Sequence, residues 1–150
     1  MENRHAAARW EGDLKSGRGR ITLESGLFEG PYSYHTRFED DRKGTNPEEL
    51  LGAAHAGCLA MATSAALSKA GYPPTSLEVD AEVSLAQADG GFEIARIALT
   101  LRGDVPGLNE AELVRIATEA KETCPLSKAL AGVKDVSLHV RSVAKAGSAV

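Results

Sequence analysis

Only two cysteines occur among the 150 residues, Cys58 and Cys124, and they stand far apart in the chain. Two thiols cannot form a disulfide scaffold, and no Cys-x-x-Cys or His-Glu-x-x-His spacing offers a recognisable metal site. Basic charge is scarce as well: 17 Lys and Arg against 21 Asp and Glu leave a net charge of −4, so the basic footprint of a nucleic-acid binder is missing. Aromatic residues are few, with 3 Phe, 3 Tyr and 1 Trp, so a core must be built mainly from Ala, Leu, Val and Ile. Unbroken apolar runs are also lacking. The longest apolar-leaning stretch, Leu50 to Leu67, is interrupted by Gly52, His55, Gly57, Thr63 and Ser64, and the opening Met-Glu-Asn-Arg-His has no apolar signal core. These absences predict a soluble, non-exported, cytoplasmic protein with neither membrane nor nucleic acid as partner. Structural disulfides are uncommon in such a reducing compartment, which leaves the two thiols available for redox chemistry.

What is present is regular punctuation without repeats, and residues 1–150 read as one domain. Short strand-like runs at Ala7 to Trp10, Arg20 to Glu24 and Tyr32 to Phe38 suggest an antiparallel meander. Asn46-Pro47-Glu48-Glu49 then announces a helix. Asn46 suits the N-cap, Pro47 the first helical position, and Glu49 the reciprocal bond of a capping box, while both carboxylates favour the positive end of the dipole. The helix should run to about Lys69, where Gly71 stops it. Leu77, Val79, Ala81, Val83 and Leu85 alternate as in a half-buried strand, Asp89-Gly90-Gly91 turns the chain, and the return strand switches parity between Ile94 and Ile97, predicting a bulge near Ala95-Arg96. Asn109 with Glu112 starts a second helix that leads to Cys124. A short helix, Pro125 to Ala131, and a last strand through Val136, Leu138 and Val140 complete an α+β chain with mainly antiparallel sheet.

Each cysteine has a distinctive setting. Cys58 lies mid-helix in Gly52-Ala-Ala-His-Ala-Gly-Cys58, where two glycines, each costing about 1 kcal/mol relative to Ala, imply a packing or access requirement. Cys124 precedes Pro125 as an N-cap precedes N1, so free amides face its sulfur and favour the thiolate. A buried, inert role for Cys58 is the bland alternative. Two other chemistries remain open: a metal held by His55, Cys58, Cys124 and His35, or a cysteine hydrolase pairing Cys58 with His35 or His139. His55 itself reads as a hydrogen-bonded interior histidine. Leu51, Ala54, Leu59, Met61 and Ala62 either wall an apolar channel or are ordinary core, and Met61 reads as gap-filling core.

Five segments in order, Trp10-Glu-Gly-Asp13, Thr36-Arg-Phe38, Gly44-Thr-Asn-Pro-Glu-Glu-Leu50, Gly52-Ala-Ala-His-Ala-Gly-Cys58 and Thr123-Cys-Pro125, resemble the OsmC/Ohr family, in particular its osmotically inducible branch. The resemblance spans nearly the whole chain. It implies an OsmC-like fold with a long central helix, an intertwined homodimer, and a thiol peroxidase for organic hydroperoxides in oxidative or osmotic stress defence. No metal or prosthetic cofactor is implied. By the same resemblance Cys58 matches the peroxidatic cysteine, Cys124 the resolving cysteine with which it closes a disulfide, Arg37 the active-site arginine and Glu48 its carboxylate partner. A lipoyl-type dithiol is the implied reductant. In the organic-hydroperoxide-resistance branch the arginine comes from an earlier loop, where Arg18 and Arg20 stand here, and the Glu39-Asp40-Asp41 run could compete for Arg37. A competing class is a non-enzymatic module that senses oxidation through its thiols or binds a small apolar ligand.

These roles are chemically coherent, because a mid-helix thiol needs a cation to ionise near neutral pH and an arginine is permanently charged. Glu48 and Cys58 share one helix face, yet at about 1.5 Å per residue the stretch between them is roughly 15 Å long. Three solutions remain: Arg37 reaches between them, the helix breaks near Gly57, or the Glu48 close to a given Cys58 belongs to the other subunit, which is the expectation preferred here.

Overall fold

In the computed structural model, which describes residues 1–143, Asn46 accepts a 2.8 Å hydrogen bond from the Glu49 N–H and opens the long helix α2 (Pro47–Lys69). The reciprocal half of the expected capping box is absent: the Glu49 carboxylate accepts instead from the Thr45 hydroxyl at 3.1 Å. Gly71 ends the helix at φ +88°, a left-handed conformation that costs glycine little, with Tyr72 N–H donating to Leu67 O at 2.9 Å. No break occurs near Gly57, so that solution to the Glu48–Cys58 separation is excluded. Backbone contacts divide the chain into two compact units, Met1–Leu50 and another from Leu51 on, with the boundary inside α2.

The first unit is a three-stranded antiparallel meander of β1 (Ala6–Glu11), β2 (Arg18–Leu23) and β3 (Glu29–Tyr32), followed by a short helix, α1 (Tyr34–Phe38). The helix replaces the expected strand Tyr32 to Phe38. The apolar spacing there satisfies either period, and the local hydrogen bonds decide: Ser33 Oγ accepts from Thr36 N–H while Thr36 Oγ1 accepts from Ser33 N–H. Among the described residues, Ile21 is the one buried large apolar side chain in this unit.

The second unit holds a sheet in the order β4 (Ser76–Ala88), β5 (Gly91–Asp104) and β6 (Asp135–Ser142). β5 pairs antiparallel with β4 and parallel with β6. The bulge falls where the parity switch predicts, since Ser84 pairs with Arg96 and Leu85 with Ile94, leaving Ala95 unpaired. Helix α3 (Glu110–Thr123) is capped by Asn109 accepting from Glu112 N–H, and α4 (Pro125–Ala129) follows it directly, two residues shorter than the expected span to Ala131.

Leu59 of α2 packs on Ile97 and Leu99 of β5, and Leu67 packs with Leu101, Leu113 and Ile116 between β5 and α3. Length and composition alone would let α2 cross a membrane, but Gly52, His55, Leu59, Thr63 and Leu67 bury one face of it in the protein core. A Cβ on Gly52 would sit 3.4 Å from Val83 Cγ2, so this glycine admits the sheet to the helix. Gly57 meets nothing within 4 Å. Met61 is 76% exposed, contrary to its reading as core filler, because the buried positions advance in the 52, 55, 59, 63, 67 rhythm and Met61 falls on the opposite side.

Candidate active site

In the first unit a backbone network fixes Arg37 against Glu48. Thr36 Oγ1 donates to Thr45 O at 2.8 Å, Asn46 Nδ2 donates to Thr36 O at 3.1 Å, and Thr45 N–H donates to Pro31 O at 2.9 Å. Gly44 allows this crossing, since a Cβ there would lie 2.5 Å from Pro31 O. Arg37 then grips Glu48 through two groups, Nη2 to Oε1 at 2.8 Å and Nε to both carboxylate oxygens at 3.2 Å. Glu48 is 12% exposed and Arg37 35%, so this pair is better shielded than an ordinary surface bridge. The Phe38 ring lies 5.2 Å from the guanidinium carbon. Nη1 makes no hydrogen bond among the described residues.

The acidic run does not compete for Arg37. Glu39 binds His35 Nδ1 at 2.7 Å, Asp40 binds Arg42, and Asp41 accepts from Lys43 N–H. Arg18 and Arg20 are engaged on the meander surface by Glu11 and Glu29. His139 accepts from Arg141 Nε at 3.0 Å on exposed β6, and His35 is occupied by Glu39, so each histidine considered for a hydrolase pair has a partner of its own.

In the second unit the two thiols meet. Cys124 Sγ lies 3.0 Å from Cys58 Sγ, in hydrogen-bond contact and beyond the roughly 2.05 Å of a covalent S–S bond, so both cysteines are free. Cys124 is fully buried and Cys58 half-buried. The junction of α3 and α4 brings Cys124 here: it ends α3 by donating its N–H to Ala120 O and serves as N-cap of α4, with Pro125 at N1.

The two thiols differ electrostatically in the way their settings predict. Burial pushes the Cys58 thiol above its usual pKa, the contact with Cys124 adds to this, and the Leu126 N–H only partly offsets them. At Cys124 burial works in the same direction but is outweighed by the Cys58 contact, the Ser127 N–H and hydroxyl, and the Leu126 N–H, so its pKa falls below the usual value. No cation among the described residues figures in the shift of Cys58, whose largest cause is burial.

His55 is the interior histidine expected, fully buried, with Nε2 2.9 Å from Ser127 Oγ. Burial and then Lys121 hold its pKa below the ordinary imidazole value. Ser127 is the site residue that the sequence reading missed. It stands at the N3 position of α4, three residues after the Cys124 cap; the cap side chain makes no cap hydrogen bond, and the Ser127 hydroxyl pairs with His55 instead.

Comparison with known proteins agrees with these features. Over 124 residues the chain is 49% identical to the peroxiredoxin OsmC of Escherichia coli, covering 82% of this chain and 86% of that one. It is 40% identical over 97 residues to an organic hydroperoxide resistance protein of Xanthomonas axonopodis, covering 63% and 66% of the two chains. The crystal structure of the organic hydroperoxide resistance protein OhrB of Bacillus subtilis superposes with a TM-score of 0.73 at 27% identity, covering 91% of this chain and 98% of that one. A family described as OsmC-like protein matches residues 39–139, a span that takes in Glu48 and both cysteines and begins just after Arg37, and with this match the chain belongs to that family.

Proposed function

We propose that the protein is a thiol-dependent peroxidase that reduces organic hydroperoxides to alcohols. The observation that carries this reading is the 3.0 Å approach of two free thiols with unequal proton affinities, one buried and one half-buried. Cys58 attacks the terminal peroxide oxygen, the O–O bond breaks, and the substrate departs as alcohol while Cys58 becomes a sulfenic acid. The Cys124 sulfur then displaces the sulfenate oxygen as water, forming the Cys58–Cys124 disulfide before Cys58 reaches the sulfinic level. An external dithiol of the lipoyl type restores both thiols by exchange. Arg37, oriented by Glu48, supplies the positive charge that Cys58 lacks and stabilises the departing alkoxide. The chain acts as one OsmC-like peroxidase domain in the cytoplasm, where reducing dithiols are available.

Intact mass after one equivalent of cumene hydroperoxide tests the cycle. A loss of two hydrogens per chain is expected, whereas an unchanged mass overturns the reading. Sustained consumption with a dithiol reductant separates catalysis from one-time sensing.

The working unit is a homodimer. Ala53, Ala54, Gly57, Met61 and Ala65 form a small-residue apolar stripe along the exposed side of α2, and the first unit buries Ile21 alone among its large apolar side chains. Both features call for a further covering surface. Gly57→Glu provides the test. Nothing lies within 4 Å of the new Cβ, so a monomer tolerates the change and gains helix propensity, about 0.5–1 kcal/mol. A dimer packed on this stripe dissociates instead, as sedimentation velocity at micromolar concentration would read. A Gly57→Glu protein sedimenting as the parent does would place the dimer contact elsewhere.

A further inference from the structure

We infer that the cavity between α3, α4 and β6 binds a small carboxylate with an apolar tail, held by Lys121, Lys128 and Lys134. The cavity measures about 330 Å³, at the lower end of the range for small-molecule sites, and lies wholly within the second unit. Its three lysines come from α3, α4 and the turn into β6. Lys121 is half-buried, and its Nζ donates to Val136 O at 3.0 Å, which holds the ammonium in place and leaves two of its N–H groups for a ligand. Among the described residues none of the three lysines is paired with a carboxylate. The acidic side chains on the same elements are taken by arginine instead: Asp135 by Arg96, and Glu112 and Glu119 by Arg115. Glu122 is the one acidic residue of the lining, so three cations against one anion leave the cavity at +2 in a chain of net charge −4.

Much of the remaining lining is apolar and fixed. Leu130, Val133 and Val136 pack against the Leu59, Ile97 and Leu99 cluster, and Val133 N–H donates to Leu130 O at 3.0 Å, closing the turn that carries both. Cations beside a fixed apolar wall select for charge and hydrophobicity together. A bare anion leaves the apolar surface wet, and a neutral chain leaves the lysines unpaired. A carboxylate on a medium-length alkyl chain satisfies both. Ser127 also lines the cavity, and the 2.9 Å contact of its hydroxyl with Nε2 of the fully buried His55 joins this wall to α2, so occupancy is readable at that histidine. Neither cysteine lines the cavity, and the inference stands apart from the peroxidase reading.

Octanoate is the probe, with octanol and acetate representing its two halves. Titrated into the full, reduced chain in a calorimeter, octanoate is expected to saturate at one per chain and to bind about tenfold or more tightly than either half. Lys128→Gln and Lys134→Gln, at exposed positions, each weaken octanoate about threefold to tenfold, Lys121→Gln weakens it about tenfold, and high salt weakens it in the parent. Lys69→Gln, outside the cavity, leaves the affinity as it is. In NMR spectra the His55 ring resonances move with octanoate saturation, whereas those of His139, bonded to Arg141, do not. Absence of saturable octanoate binding overturns the inference. So does equal binding of octanol, which removes the role of the lysines, or of acetate, which removes that of the apolar wall. Octanoate binding that ignores all three lysine variants, or leaves His55 unmoved, puts the ligand elsewhere and overturns it too. No peroxide enters the experiment, so a failure of the peroxidase reading leaves each of these outcomes intact.

Discussion

Cys58→Ser is expected to abolish consumption of tert-butyl or cumene hydroperoxide, with a loss in kcat/KM of more than about a thousandfold, because a serine hydroxyl neither ionises near neutral pH nor forms a stable oxygenated product. Cys124→Ser gives a different signature. Its Cys58 still attacks the peroxide once, so a single equivalent is consumed. The sulfenic acid then has no thiol at 3.0 Å to condense with, and further peroxide carries Cys58 to the sulfinic and sulfonic acids. Stopped-flow peroxide consumption followed by intact mass reads both. The contrast separates the roles of two thiols whose shared contact makes them look equivalent: sustained turnover by Cys58→Ser, or unimpaired multiple turnover by Cys124→Ser, would sink the assignment. Structure loss does not explain the expected results, since serine conserves shape at both positions and Cys58 is only half-buried.

The elements that frame these thiols were legible because their signals are local. Asn46 and Asn109 mark helix starts through their own backbone, Gly71 marks a stop through its positive φ, and the parity switch between Ile94 and Ile97 locates the unpaired Ala95. Tyr32 to Phe38 was misread as strand because so short an apolar pattern suits both periods, and the Ser33–Thr36 side-chain exchange settles it in favour of helix. Met61 was misread as core because composition does not say which face of an apolar helix turns inward; that choice depends on β5 and α3, which come later in the chain. The thiol pair itself was suggested by family resemblance, and periodicity could not bring Cys58 and Cys124 together. Their meeting depends on α3 running straight into α4 without a linker, so that one residue closes the first helix and caps the second. Ser127 escaped notice for a related reason. A serine is an unremarkable N3 residue until the cap before it is a cysteine.

Arg37→Gln is expected to lower kcat/KM at pH 7 by about a hundredfold to a thousandfold, the range for removal of a donor aimed at developing negative charge. The pH dependence separates its two contributions. Burial and the contact with Cys124 raise the Cys58 pKa above the ordinary thiol value, so without an added cation Cys58 is protonated at neutral pH and becomes a thiolate only as pH rises through that raised value. In the proposed site the guanidinium opposes this shift. Removing it should therefore move the pH profile of Cys58 alkylation, measured in a Cys124→Ser background, toward alkaline pH, and part of the lost peroxidase rate should return above the new midpoint. Whatever loss persists there measures the stabilisation of the leaving alkoxide alone. Glu48→Gln keeps the charge and removes the anchor that now holds Nε and Nη2, so its loss should be smaller, with a nearly unmoved alkylation profile. Arg18→Gln and Arg20→Gln serve as the controls: both side chains are engaged by carboxylates on the meander surface and should leave rate and profile as they are. A wild-type profile for Arg37→Gln together with an alkaline shift for either control would transfer the role of activating cation to the earlier loop.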